Sequence, residues 1–296
     1  MKSGVERVTA YKVISWIVLI VLAVLFTFPL YWIITGAFKT GADINNVKEI
    51  VWFPTEFTTQ NFANLFERRS APLFNIGELI EGPIVPAAFR WLLNTVFMAI
   101  MAMVLTCLTA AMAGYALAKK RFAGRAIVFG LIVCAMALPK QVILIPLLKE
   151  MSALNLIDNI WAVIFPTVGW PFGVFLMKQF SEGIPGEILE AARIDGASEL
   201  KTFFTVVLPI IKPGVGALAI FTFINSWNDY FMQLVMLSSN NNATISLGIS
   251  TLMAETSIDM GVLMAGAALA SVPIIIVFLI FQKYFTQGIT MGAVKG

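Results

Sequence analysis

Residues 181–213, SEGIPGEILEAARIDGASELKTFFTVVLPIIKP, carry the most information in the chain. Pro185 is expected to open a helix at its first position, where the missing N–H costs nothing. Ile188, Ala191, Ala192 and Asp195 follow at spacings of three and four, while Glu187, Glu190 and Arg193 fall on another face. Gly196 permits a tight turn that a β-carbon would block. A second helical piece over Ser198–Phe204 leads toward Pro209. The pattern reads as a short amphipathic helix, a turn and another helix. Ala191, Ala192 and Gly196 let another backbone approach closely, and Glu190 offers a charge to a basic partner. Helices that lie on lipid carry Lys and Arg on the polar face. This one leads with Glu182, Glu187 and Glu190, which favours a protein partner.

Outward from this loop the chain is apolar on both sides. Of its 296 residues 59% are hydrophobic and only 12% charged, with mean hydropathy +0.86. A soluble domain is about 45–50% apolar and about 25% charged. A soluble core cannot hide that excess, so a soluble enzyme and a disordered chain are both excluded. A bilayer core needs roughly 20 apolar residues per helix. Six runs qualify: 13–37, 91–118, 126–148, 157–180, 205–237 and 262–285. The expected fold class is therefore all-α, a polytopic membrane protein with six transmembrane helices. The first run is too long for a cleavable signal peptide, and no small-residue cleavage site follows it.

Lysine and arginine set the orientation. With the N-terminus inside, the inner segments hold 13 basic residues against 6 acidic ones, and the outer positions 7 against 11. Both termini are then cytoplasmic, the KKRFAGR turn (119–125) being the strongest anchor. The long loop 38–90 lies outside, and WFPTEFTTQNFANLF within it predicts a short amphipathic helix after Pro54. Its aromatics favour a packed loop, either a lid on the membrane face or a docking surface for an extracytoplasmic partner. The net charge of +3 and the absence of a basic stripe exclude nucleic acid. There is no histidine, which removes the commonest general base and metal ligand. Cys107 and Cys134 read as small buried hydrophobes, with a disulfide or a metal pair as the alternative. No catalytic residue, metal set or Gly-rich phosphate loop is present in the sequence.

Glu190-Ala191-Ala192, Gly196 and Val206-Val207-Leu208-Pro209 resemble the EAA loop of ABC importer permeases, with only the usual Ile replaced by Val206. SWNDYF (226–231), FPTVGWPFGVFLMKQF (165–180), the NF-x-N-LF of the outer loop and the segment 263–296 resemble carbohydrate importers. The likeness is to the smaller permease of the maltose and oligosaccharide group, and it covers nearly the whole chain. It departs mainly in the outer loop, around 46–51 and 67–89. The resemblance implies the type I ABC importer transmembrane fold over 1–296, with a coupling loop at 181–204 and a cytoplasmic tail at 286–296. It implies a second homologous permease, two ATPase subunits carrying ATP and Mg, an extracytoplasmic solute-binding protein and a bacterial inner-membrane location. Glu190, Ala191, Ala192, Asp195, Gly196, Leu208 and Pro209 would engage an ATPase, and Gly292–Gly296 would reach its interface. This chain itself would bind no cofactor.

Intramembrane polar groups are costly in lipid and face a cavity or another helix. Asn94, Lys140, Gln141, Asn225, Trp227, Asn228, Asp229 and Tyr230 are therefore the candidates for a sugar path, with Gln233 beside them. Trp227–Tyr230 combine hydrogen-bonding groups with aromatic faces, as sugar recognition requires. Helix glue is the alternative for that stretch, and outward snorkelling the alternative for Lys140. Gly266, Ala267, Ala270 and Ser271 form small-residue faces. Pro166, Gly169, Pro171 and Gly173 are expected to bend the fourth helix, and Pro209, Pro213, Gly214 and Gly216 the fifth. An ion-gradient-driven secondary transporter, or an importer of a non-sugar solute, is the competing reading. Six helices without a repeat argue against the first, and a path with one lysine argues against an anionic solute.

Overall fold

The structure, a computed structural model, describes residues 2–46, 48–76, 80–254 and 259–293. Its helices are α1 (Lys2–Ala37), α2 (Gly41–Ile44), α3 (Gln60–Glu67), α4 (Ala87–Lys119), α5 (Arg125–Ala135), α6 (Lys140–Ala153), α7 (Trp161–Val168), α8 (Pro171–Glu182), α9 (Gly186–Ile194), α10 (Glu199–Thr202), α11 (Leu208–Ile210), α12 (Lys212–Asn228), α13 (Tyr230–Met236), α14 (Ile245–Met253) and α15 (Met260–Ala293). A π turn, Phe203–Val207, joins α10 to α11.

In lipid every backbone N–H and C=O must be bonded within its own segment, so an apolar chain of this composition crosses as helices. Four stretches are long and apolar enough to cross alone: Ala10–Ala37, Ala87–Lys119, Trp161–Glu182 and Met260–Lys283. Two further pairs qualify only when joined: α5 with α6, bent by 107°, and Glu199–Ile210 with α12, bent by 81°. By length and composition this gives up to six spans. The bend between α5 and α6 corrects the reading of 126–148 as one continuous helix. Pro139 has no N–H to donate and disfavours helical backbone at Leu138, so α5 stops at Ala135 and α6 restarts at Lys140. The run 205–237 is also broken: α12 stops at Asn228, and Asp229 (ψ 65°) caps α13.

The residues form two compact units, one of residues up to 70 with 249–271, the other of 71–248 with the chain from 272 onward. In the first, the helix expected after Pro54 forms as α3. Its buried Asn61 donates to the carbonyls of Ala37 (3.0 Å) and Lys39 (2.8 Å), pinning the end of α1. The loop aromatics pack there too: Phe57 stacks on Phe38 at 4.6 Å, and Trp52 meets Trp32 edge-on at 6.1 Å.

In the second unit α4 is the axis, packed against α8, α12 and α7. Small residues on its buried face, Ala99, Ala102, Ala110, Ala111 and Gly114, let those helices close in. At Gly114 a β-carbon would stand 2.6 Å from backbone atoms of Met177 and Lys178. Polar side chains at the other end of α4 fix the chain before α14. Asn94 donates to the carbonyls of Asn241 and Ala243, both at 2.9 Å, and Thr95 accepts the Ile245 N–H at 2.8 Å.

Candidate functional site

Pro185 precedes the loop helix as its N-cap, in extended backbone (ψ 140°), and α9 starts one residue later than expected. The helix ends in a closed left-handed turn. Gly196 has φ +74°. The Gly196 N–H donates to Arg193 O and the Ala197 N–H to Ala192 O, both at 3.0 Å. These are the paired bonds of a Schellman cap, which favours a residue free of a β-carbon at Gly196. Ser198 then caps α10 by accepting the Lys201 N–H at 3.3 Å. The chain passes through the π turn, whose buried residues are Phe203 and Val207.

The face that α9 turns inward is Leu189 with Ala192. Of the two alanines expected to let another backbone approach, Ala191 is exposed, whereas Ala192 is buried within this chain. Leu189, Phe203 and Val207 share one core with Ala111 and Tyr115 of α4, Met177 of α8 and Ile184. The loop is therefore keyed by packing to the transmembrane helices. Charge ties it as well. Lys119 donates to the carbonyls of Glu182 (3.0 Å) and Ile184 (2.6 Å). Lys120 pairs with Glu199, which also accepts from Arg193 at 3.5 Å. On the outward side stand Glu187, Ile188, Glu190, Ala191, Ile194 and Asp195, all exposed, with Leu200 and Phe204 beyond the turn. Leu208 is half-buried against the shared core, and Pro209 is exposed.

The expected path residues divide. Lys140, the first residue of α6, donates to Asn225 Oδ1 at 2.7 Å and pairs with Asp229 Oδ2 at 3.1 Å. The structure thus brings three of them together where two broken helices meet. Asn228 and Gln141 are exposed, and Tyr230 is half-buried. Trp227 is 1% exposed and stacks on Phe223 at 5.4 Å, so its ring faces the core and not an open path. Asn94 is buried and holds backbone carbonyls, as described above. Gln233 is fully buried, donating to Ser226 O (3.1 Å) and accepting from Thr244 (2.5 Å). Asn94 thus holds the chain before α14, Trp227 packs against its own helix, and Gln233 ties α13 to α12. Gly292 and Ala293 end α15, and 294–296 of the expected ATPase-reaching tail lie outside the described residues.

One polar centre went unread in the sequence. Asp158 (φ +59°) sits in the turn between α6 and α7. Its Oδ1 accepts the N–H groups of Ser238 (2.8 Å) and Ser239 (2.9 Å), and its own N–H donates to Met236 O at 2.8 Å. Asn242 donates to its carbonyl at 2.5 Å. Partial burial pushes the Asp158 carboxyl up, but the hydrogen bonds from Ser239, Ser238 and Asn242 outweigh it and hold it below the ordinary carboxylate value. Its stabilising effect is therefore fully present above about pH 4, the unfolded value, and fades as pH falls through the lowered native one. Asp158→Ala should cost about 1–2 kcal/mol. A thermal-shift measurement at pH 7 checks this, and the gap between native and variant should narrow in acid.

Residues 108–291 match the family described as the binding-protein-dependent transport system inner membrane component. The chain is 34% identical over 288 residues to the arabinooligosaccharides transport system permease protein AraQ of Halalkalibacterium halodurans, covering 96% of this chain and 98% of that one. It is 30% identical over 295 residues to the sulfoquinovosyl glycerol transport system permease protein SmoH of Agrobacterium fabrum, covering 99% and 97%. To the lactose transport system permease protein LacG of Rhizobium radiobacter it is 30% identical over 283 residues, covering 96% of each chain. Among solved structures, a bacterial ABC transporter involved in import of the acidic polysaccharide alginate superposes with a TM-score of 0.76, at 21% identity over 93% of this chain and 96% of that one. That likeness is one of fold: the all-α transmembrane subunit of a type I ABC importer.

Proposed function

The chain belongs to the family of binding-protein-dependent transport inner-membrane components, and on that premise we propose that it is one permease of an ATP-driven importer of an uncharged oligosaccharide. Proteins of this family are transport components, and ATP is hydrolysed on a separate subunit. In this reading a second, homologous permease completes the path, and two ATPases with their ATP and Mg dock from the cytoplasm. A solute-binding protein delivers sugar to the outer loop 38–90. The distribution of Lys and Arg supports both termini inside.

The observation that carries the proposal is the loop after α8. One face, Leu189, Phe203 and Val207, is locked into the transmembrane core. The opposite face presents Ile188, Ala191 and Ile194 beside Glu190, all left exposed by the described residues. An element gripped from behind and bare in front transmits a push. ATPase closure would move the loop as a rigid body and reorient the helices. The Lys140–Asn225–Asp229 cluster lines the path in this reading. Its charges cancel, which suits hydroxyl groups better than an anion. The names of the relatives, for arabinooligosaccharides and lactose, support a sugar.

Ile194 is 86% exposed, so Ile194→Asp should not disturb the fold of this chain. The assembled complex is purified in lipid nanodiscs with its ATPase and sugar-loaded binding protein. The variant is expected to lose at least about tenfold in sugar-stimulated ATP hydrolysis, roughly 1.4 kcal/mol of docking. Full stimulation in the variant would remove this face from the ATPase interface.

A further inference from the structure

A cavity of about 460 Å3 opens beside the Asp158 turn, lined by Phe97, Asp158, Asn159, Trp161 and Asn241, among others. Small-molecule sites run about 300–1,000 Å3. Its walls are of two kinds. Phe97 and Trp161 meet edge-on at 6.0 Å with planes 88° apart, forming an aromatic corner. Phe165 backs the indole at 5.2 Å and holds it in place. Facing this corner are carboxamides and a carboxylate.

The polar groups differ in what they already do. Asp158 already accepts from Ser238 and Ser239 on Oδ1 and, at 3.4 Å, from Asn242 on Oδ2. Asn159 uses only its oxygen, accepting the Trp161 backbone N–H at 3.1 Å. Among the described residues, the Asn241 carboxamide and the Trp161 indole N–H make no hydrogen bond. Asn241 anchors the fold through its backbone instead: its carbonyl accepts from Arg90 Nε at 3.1 Å and from Asn94 at 2.9 Å. The carboxamides of Asn159 and Asn241 and the indole thus supply unused donors, and Asn241 an unused acceptor, beside apolar ring surface.

We propose that this cavity is an outer subsite for one unit of an uncharged oligosaccharide, with Trp161 and Phe97 against the apolar ring face and Asn241 and Asn159 on its hydroxyls. The inference rests on the importer reading above and adds a site to it. A sugar ring offers C–H faces to aromatics and hydroxyls that both donate and accept, and the cavity holds both partners in one place. The class is uncharged because the one ionised lining group is the Asp158 carboxylate. Arg90, the cation that reaches Asn241, has its Nε on that residue's carbonyl and does not line the cavity. Position fits a relay. The Asp158 N–H is bonded to Met236, the last residue of α13, and Asp229 caps the other end of that helix. Seven residues of helix rise about 10 Å, so the cavity stands one short helix away from the Lys140–Asn225–Asp229 cluster.

Asn241→Ala is the cleanest test, because among the described residues the side chain it removes makes no hydrogen bond, and the anchoring carbonyl stays. Complexes with ATPase and binding protein are reconstituted in proteoliposomes, and uptake of arabinotriose, lactose and raffinose is followed. Direct contact is read by saturation-transfer NMR on the nanodisc complex without binding protein, with arabinotriose and, as the charged counterpart, trigalacturonate. For whichever sugar is taken up, Asn241→Ala and Trp161→Ala should raise the half-saturating concentration about five- to tenfold. Trp161→Phe, which keeps a ring and loses the N–H, should fall between. Saturation transfer to arabinotriose should drop in Asn241→Ala, and trigalacturonate should show none. Native uptake curves and native transfer in Asn241→Ala, at an unchanged melting temperature, would overturn the subsite while leaving the importer reading standing. Equal transfer to trigalacturonate would overturn the uncharged class. Sugar-independent ATP hydrolysis with no uptake of any of the three by the native complex would instead overturn the importer reading, and the subsite with it.

Discussion

Replacing Gly196 by proline is expected to abolish sugar-stimulated ATP hydrolysis and uptake while the transmembrane part stays folded. Gly196 sits at φ +74°, and proline is locked near −65°. The substitution also deletes the N–H that donates to Arg193. Left-handed backbone costs an L-residue roughly 1–2 kcal/mol, so Gly196→Ala should weaken the turn and proline should break it. With the Schellman bonds lost, α9 no longer ends where it does, and the angle between its outward face and α10 changes. Open space surrounds Gly196, so the damage is to direction and not to packing. The measurement is uptake and ATPase rate side by side. Uptake should fall by more than about tenfold in the proline variant and by less in the alanine one. A proline variant that transports at the native rate would show that the turn's geometry is not used.

Gly114→Val should prevent recovery of a monodisperse complex. The added β-carbon would lie 2.6 Å from Met177 C and Lys178 N. Backbone on α8 cannot swing aside as a side-chain tip does, so the two helices must separate. That opens the core shared by Ala110, Ala111, Met177 and Leu189, loosening the loop along with the helix pair. Overpacking costs about 1–3 kcal/mol and occasionally more, far above the helix propensity gained by replacing glycine. Gly130 on α5 is the matched control, since nothing stands within 4 Å of its missing β-carbon. Gly130→Ala should elute and melt like the native complex. Equal behaviour of the two variants in size-exclusion profile and melting temperature would refute the close contact.

The parts of this molecule that were legible in the sequence are those whose cause is local. Long apolar runs gave α1, α4 and α15, and the EAA spacing gave α9, its glycine turn and the step toward Pro209. Other features depend on partners far away in the chain. Nothing near Leu189 says that Tyr115 and Met177 will cover it, so the face that α9 turns inward is not legible from its own residues. Asn94 and Trp227 look like path residues by composition alone, and only their neighbours, the carbonyls of 241 and 243 and the ring of Phe223, turn them inward. Asp158 is a single acidic residue in a loop, and its partners at 236–242 lie about eighty positions on. The break before Lys140 had a visible signal in Pro139, but the hydropathy of 126–148 masked it. Lys140 then meets Asn225 and Asp229 because two helices fail in the same neighbourhood.

The first helix differs from the fourth in a way that bears on how each can change over time. From Trp16 to Pro29 every side chain of α1 is exposed, whichever way it points, whereas one face of α4 is closed by alanines, Gly114 and Trp91. Swapping one aliphatic residue for another in α1 alters only what surrounds the chain, so many spellings of that helix serve equally. The same one-methyl change on the inner face of α4 meets a neighbouring backbone. Drift in α1 is limited by oiliness alone, and in α4 by shape. A library randomised over Leu, Ile, Val and Phe at 17–26 should therefore keep most of its members functional, and one that randomises 99–114 among the same residues should keep few.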